Sequence, residues 1–342
     1  MERKAEIREI TLLQSFGIFL VVLGHSYIEI NKHPQDPILS AFYWFHHFIY
    51  SFHMPLFMLL SGFLFFHSNT GESSKGASNF ISSRFKRILA PYIIISSLTF
   101  PIKVLLNKFA ARPLDLNIAS YIKTIIYPTS NTIFFYWFLP TLFAVSLIAY
   151  LLFALIRNKN LQQYSLVIFL AFLLLNLFNP FKSQLLNIKG IANYLIYFWS
   201  GCVYYIYKDK LSSILNKPFV LLFIFLLLLS INIFTTPDAN SFTKLLAAFS
   251  GICVSIGLAN IFINKGLVLF RYINGFSYQI YLLSWFPQIF FKIVLSDILH
   301  VGFYPSFIFM LAGGIIFPVA VAKFMSKRPT GLNFIVGLRS KA

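Results

Sequence analysis

Ten apolar stretches recur along this chain of 342 residues, and they leave it few ways to fold. They run over 10–30, 40–66, 88–107, 131–156, 164–179, 191–207, 218–235, 242–263, 274–296 and 303–325. A helix needs roughly 20 apolar residues to cross hydrocarbon, where each backbone N–H and C=O must be paired within the chain. The expected fold is therefore an all-α integral membrane protein. It is a bundle of about ten transmembrane helices in one domain over residues 1–342, with no room for a separate soluble domain.

Composition agrees with that class. Hydrophobic residues make up 58% and charged residues only 11%, against roughly 25% charged in a soluble domain. The net charge of +18 resembles that of a nucleic-acid binder, but Lys and Arg sit between the apolar runs. Assigning alternate loops to alternate sides puts 19 of the 28 Lys and Arg on one side. Cytoplasmic loops carry such an excess, so topology accounts for the charge and nucleic acid is not an expected partner. The same bias predicts an even number of spans with both termini in the cytoplasm. The two cysteines, Cys202 and Cys253, lie in apolar stretches and offer neither a disulfide framework nor metal-ligand spacing. No small-residue cleavage site follows Met1 to Glu9, so the first stretch reads as a retained span rather than a signal peptide.

Between the spans, Ser68 to Asn79 is rich in Ser and Gly and reads as a flexible cytoplasmic connection. Lys108 to Ser130 is the longest outward loop, interrupted by Pro113 and Pro128. No internal repeat is apparent.

His25, in Gly24-His25-Ser26, closes an uncharged apolar run, and His53 interrupts the next. An ionisable ring at such depth marks a functional site by default, its plainer role being a hydrogen bond to a neighbouring helix. Gln14 and His25, eleven residues apart, fall nearly on one helical face. Glu29 follows His25 by one turn on that face, so it reads as a carboxylate orienting a general base or as a solvated rim carboxylate. Near the third span stands Arg84-Phe85-Lys86-Arg87. Two guanidinium forks beside an ammonium suit a phosphate or pyrophosphate, and they equally suit a topology anchor. No Walker, GxGxxG or HExxH motif offers another site, and no metal is expected.

These residues carry a resemblance. Ile18-Phe19-Leu20-Val21-Val22-Leu23-Gly24-His25-Ser26 resembles the first-helix signature of the acyltransferase-3 family of integral membrane proteins, closest to its fucose 4-O-acetylase-like branch. Phe52-His53-Met54-Pro55-Leu56-Phe57 with Ser61-Gly62-Phe63 is similar to that branch's second-helix motif. Arg84-Phe85-Lys86-Arg87-Ile88-Leu89-Ala90-Pro91-Tyr92 is similar to its Arg-x-x-Arg motif. Trp137-Phe138-Leu139-Pro140 and Ser277-Tyr278-Gln279-Ile280-Tyr281-Leu282-Leu283 resemble its later signatures.

The resemblance implies a multi-pass O-acyltransferase of the bacterial cytoplasmic (inner) membrane. Cytoplasmic acetyl-CoA, or another acyl-CoA, would supply the acyl group. The acceptor would be a sugar hydroxyl of a cell-surface polysaccharide or lipid-linked oligosaccharide. By matching position, His25 is the base, with Glu29 beside it. Arg84 and Arg87, with Lys86, contact the CoA phosphates, and Gln14, His53, Ser61 and Trp137 are supporting positions. Two positions depart from the family pattern. Gln14 stands where the family usually has Arg or Lys, and Ser284-Trp285 where its late signature often continues into histidine. A multispan exporter of a glycan intermediate, using His25 and Glu29 as a proton relay, is the alternative function. An assembly subunit without chemistry is the third.

Overall fold

The computed structural model describes residues 2–26, 37–69, 76–110, 112–156, 160–234, 240–266, 270–327 and 333–338. Among the described residues the regular structure is all helical. In chain order the first helices are α1 (Glu2–His25), α2 (Pro37–Tyr50), α3 (His53–Asn69) and α4 (Ala77–Arg84). A π-helical turn, Phe85–Leu89, joins α4 to α5 (Ala90–Leu105). Then follow α6 (Ile118–Ile126), α7 (Phe138–Ile156), α8 (Leu161–Leu177), α9 (Ile188–Leu215) and α10 (Pro218–Phe234). The last are α11 (Ser241–Asn264), α12 (Ser277–Leu283), α13 (Trp285–Phe291), a second π-helical turn (Lys292–Ile298) and α14 (Phe303–Lys327).

Among the described residues each of the ten apolar stretches is largely helical, but fewer of these helices are long and apolar enough to count as spans. Five qualify: Ser40–Asn69, Ala77–Leu105, Phe134–Ile156, Ser241–Asn264 and Phe303–Lys327. A sixth is added if α9 and α10, bent by 98°, are taken as one broken span. The shortfall from ten has local causes. α8 has only 17 residues, and α1 carries Arg8, Glu9, Gln14, Ser15 and His25. The ninth stretch divides at Ser284, where Pro287 cannot donate to the carbonyl of Leu283. The long connection after α5 is also not wholly irregular. It contains α6, whose Asn117 cap accepts the backbone N–H of Ser120 at 2.7 Å. The Ser- and Gly-rich connection is shorter than expected, because α3 runs to Asn69 and α4 begins at Ala77.

The chain divides into two compact units, Met1–Leu64 with Ser200–Val319 and Phe65–Trp199 with Ala320–Ala342. In the first, α1 packs against α2, α11 and α12, and α10 against α2 and α11. Leu20, Ile49, Phe52, Leu228 and Ala247 form its buried cluster. Glycines set the closest approaches. A β-carbon on Gly251 would collide with Cβ and Cγ of Phe52, and one on Gly201 would strike the backbone of Leu59 and Phe63. Without a hydrophobic drive between helices in lipid, such backbone approach is a main source of packing energy.

The second unit has an aromatic core in which Phe65, Phe66, Phe153, Phe198 and Trp199 meet edge to face or tilted. Several of its buried polar groups are paired internally, as a low-dielectric interior demands. Asn131 donates to Ser96 Oγ at 2.9 Å and to the Thr124 carbonyl at 3.0 Å, and its Oδ1 accepts from Ile133 N. Trp199 Nε1 donates to the carbonyl of Ser165 at 2.9 Å. Outer faces remain apolar, with Leu166, Leu170 and Leu174 on α8 and Leu222, Phe223 and Leu226 on α10 exposed. Such faces suit lipid, and the chain is a multi-pass membrane protein.

Candidate active site

His25 is the last residue of α1, and it is buried. Its Nδ1 shares a hydrogen bond of 2.6 Å with the hydroxyl of Tyr50, the last residue of α2. The helix end carrying His25 is held from the other side as well. Gln288 of α13 donates from Nε2 to the Val22 carbonyl at 2.9 Å and to Ser26 Oγ at 3.0 Å. Ser26 in turn donates to that same carbonyl at 2.8 Å. The Val22 carbonyl thus takes this amide in addition to the Ser26 backbone N–H at 2.9 Å, which ties α13 to the end of α1.

Tyr50 sits within a cluster of imidazoles. His46 stacks on its ring at 3.9 Å between centroids, and His53 meets it edge-on at 4.7 Å. His53, at the first position of α3, is buried and donates from Nδ1 to the carbonyl of Ile49 at 2.9 Å. It closes the break at Ser51–Phe52 between α2 and α3, and through Tyr50 it stands one ring away from His25. Sequence reasoning passed over His46 and Tyr50. Their signal was the spacing 46, 50, 53, which places three polar rings on one helical face of an apolar stretch.

Other anticipated residues fall elsewhere. Glu29 lies outside the described residues. Gln14 is half-buried on α1, and eleven residues of helix rise carry it roughly 16 Å from His25, beyond direct contact. Its neighbour Ser15 is fixed by a 2.6 Å hydrogen bond to Asn274 Oδ1. Ser61 is half-buried within α3, beside Gly62, whose backbone lies against Gly201. In the second unit Trp137 ends the short turn Phe134–Trp137, its ring 5.1 Å from that of Tyr194.

The basic motif is placed differently from the expectation. It does not precede a helix but lies within the continuous helical segment Ala77–Leu105, at the π-helical turn. Pro91 explains the turn. It cannot donate to the carbonyl of Arg87, so the backbone widens ahead of it, and Ala90 N donates to the carbonyl of Phe85 five residues back. Arg84 closes α4 and Arg87 lies inside the widened turn. Arg84 is half-buried with its guanidinium carbon 5.2 Å from the centroid of Phe80, itself stacked on Tyr150 at 4.4 Å. Arg87 and Lys86 are exposed. Lys86 lines an open hollow with Asn79, Ser82 and Ser83. The hollow itself therefore offers an ammonium, an amide and two hydroxyls, donors of the kind a phosphate accepts.

No curated protein and no solved structure matches the chain significantly. The acyltransferase-3 family, described as an acyltransferase domain, matches residues 7–323, which include both the imidazole cluster and the basic turn. With nearly the whole chain covered, this protein belongs to the acyltransferase-3 family of membrane acyltransferases.

Proposed function

We propose that the protein is an O-acetyltransferase of the fucose 4-O-acetylase-like branch, working in the bacterial cytoplasmic membrane. It moves an acetyl group from cytoplasmic acetyl-CoA to a sugar hydroxyl of a surface polysaccharide or lipid-linked oligosaccharide. The whole chain acts as one acyltransferase unit of about ten membrane-crossing segments with both termini cytoplasmic, an orientation supported by the loop charges. The observation that carries the reading is the buried His25 imidazole, gripped at Nδ1 in a chain of an acyltransferase family.

A sugar hydroxyl is almost fully protonated near neutral pH and is a weak nucleophile until a base takes its proton. His25 removes that proton as the sugar oxygen bonds to the acyl carbon. The carbon–sulfur bond breaks, and the imidazolium returns the proton to the departing sulfur. The products are the sugar ester and the free thiol. Arg84 and Arg87, with Lys86, hold the CoA phosphates through charge-assisted hydrogen bonds.

The test uses purified full-length protein in lipid nanodiscs with labelled acetyl-CoA and a panel of sugar acceptors. Labelled acetyl on the sugar, with one free thiol released per ester, supports the reading. Absence of transfer to every acceptor, with glycan flux across proteoliposomes, replaces it with the exporter.

A further inference from the structure

We infer that Tyr50 is the positioning residue of His25: its hydroxyl oxygen accepts the Nδ1 proton, leaving Nε2 as the atom that takes the acceptor's proton. This rests on the reading of His25 as the base. A nucleophile's base is normally held by a third group that fixes its ring and tautomer, and at His25 the structure supplies Tyr50 Oη at 2.6 Å. A neutral imidazole carries a single N–H, so a donor at Nδ1 places the lone pair at Nε2. When the proton transfers, the imidazolium keeps the same Nδ1–H···Oη bond and nothing needs to reorient.

A phenol differs from the carboxylate that more often fills this role. It orients without adding a second buried ion, whose desolvation in a hydrocarbon-facing bundle would be costly. The cost of orientation passes to packing, and the packing around Tyr50 is tight. His46 covers one face of its ring at 3.9 Å, and His53, tied to the Ile49 carbonyl, meets it at 4.7 Å. The third wall is Gly24. A β-carbon there would stand 2.6 Å from Tyr50 Cε2, so only glycine admits the ring beside the residue preceding the base. Gly24 in Gly24-His25-Ser26 thus has a physical reason, namely room for the residue that aims His25.

The experiment compares Tyr50→Phe, Gly24→Ala and His25→Ala with the unaltered full-length protein. Tyr50→Phe keeps the stacked ring and removes only the oxygen. Its kcat is expected to fall about 10–100-fold, as when a group orienting a functional histidine is removed. KM for acetyl-CoA and the thermal midpoint should stay near their original values. In protein carrying 15N-histidine, the His25 resonance, assigned by its loss in His25→Ala, should move from the Nδ1–H tautomer toward a mixture. Gly24→Ala, which displaces the ring from the other side, should repeat the kcat loss, and it carries the test if Tyr50→Phe does not fold. Full kcat with an unchanged His25 tautomer overturns the role of Tyr50, while the base reading stands if His25→Ala is inactive. Full activity in His25→Ala overturns the base and the inference together.

Discussion

The hydroxyl of Tyr204 and the carboxylate of Glu9 share a hydrogen bond of 2.5 Å across 195 residues of sequence. Lys208 Nζ approaches the second carboxylate oxygen at 3.1 Å, lying over the ring of Phe63. Glu9 is buried and Lys208 nearly so, with side-chain exposures of 5% and 15%. Taking away one partner of such a pair strands the other's charge, at a cost of roughly 3–5 kcal/mol when burial is complete. Glu9→Ala should therefore lower stability by about 2–4 kcal/mol, the residual exposure of Lys208 trimming the penalty. Glu9→Leu combined with Lys208→Leu should recover most of that loss. Thermal unfolding in nanodiscs checks both, and equal midpoints for the single and double variants would show that the charges are not coupled.

Loss of the base should be felt in chemistry and not in folding. His25→Ala is expected to reduce acetyl transfer by about 10²–10⁴-fold, the range contributed by a positioned general base. The neighbouring Gln288 still satisfies the Val22 carbonyl, so the end of α1 keeps its anchor. Acetyl transfer and the thermal midpoint are measured on the same preparation. Normal transfer in the variant would remove His25 from the mechanism.

The sequence disclosed the helices better than their joints. In their described residues all ten apolar stretches are largely helical, because in hydrocarbon the backbone has no alternative to internal pairing. The breaks were less legible. Ser284 divides a run whose hydropathy is nearly continuous, whereas the 98° bend between α9 and α10 falls at the end of the polar stretch that separates two apolar runs. His25 was visible as an ionisable residue closing an apolar run, and its family signature pointed the same way. Tyr50 was harder to see, because its only signal was the spacing it shares with His46 and His53, and it takes the fold to bring it to 2.6 Å from an imidazole. The Glu9–Tyr204 bond was hidden for the same reason, its partners being joined only by tertiary packing.

The two arginines of the basic turn should separate on mutation. Arg87→Ala, at an exposed position, should weaken acetyl-CoA binding about tenfold or more, since a hydrogen bond to a charged group contributes roughly 1.5–3 kcal/mol. Being exposed, Arg87 should cost the thermal midpoint less than Arg84 does. Arg84→Ala should weaken binding and also cost stability, because its guanidinium packs on Phe80 and lends about 0.5–2 kcal/mol there. The double variant should bind most weakly of the three. Calorimetric titration with acetyl-CoA gives the affinities, and unchanged binding in the double variant would return both residues to topology anchors.

Pro91 offers a way to alter the basic turn without touching a charge. Pro91 has no N–H to continue the regular i→i−4 ladder, and the π-helical turn over Phe85–Leu89 lies directly ahead of it. Pro91→Ala restores the donor and favours a regular helix, which would rotate Arg87 relative to Arg84. Removing a proline from a helix interior ordinarily stabilises, by up to about 3 kcal/mol, so stability should hold or rise. KM for acetyl-CoA should nonetheless increase several-fold, because the three cations no longer project as the widened turn sets them. Wide turns of this kind are found frequently at functional sites, where a regular helix would aim side chains differently. The measurement is steady-state kinetics beside a thermal scan. A higher midpoint with an unchanged KM would show that the basic side chains act through their charge alone and that the widened turn is only an accommodation of proline.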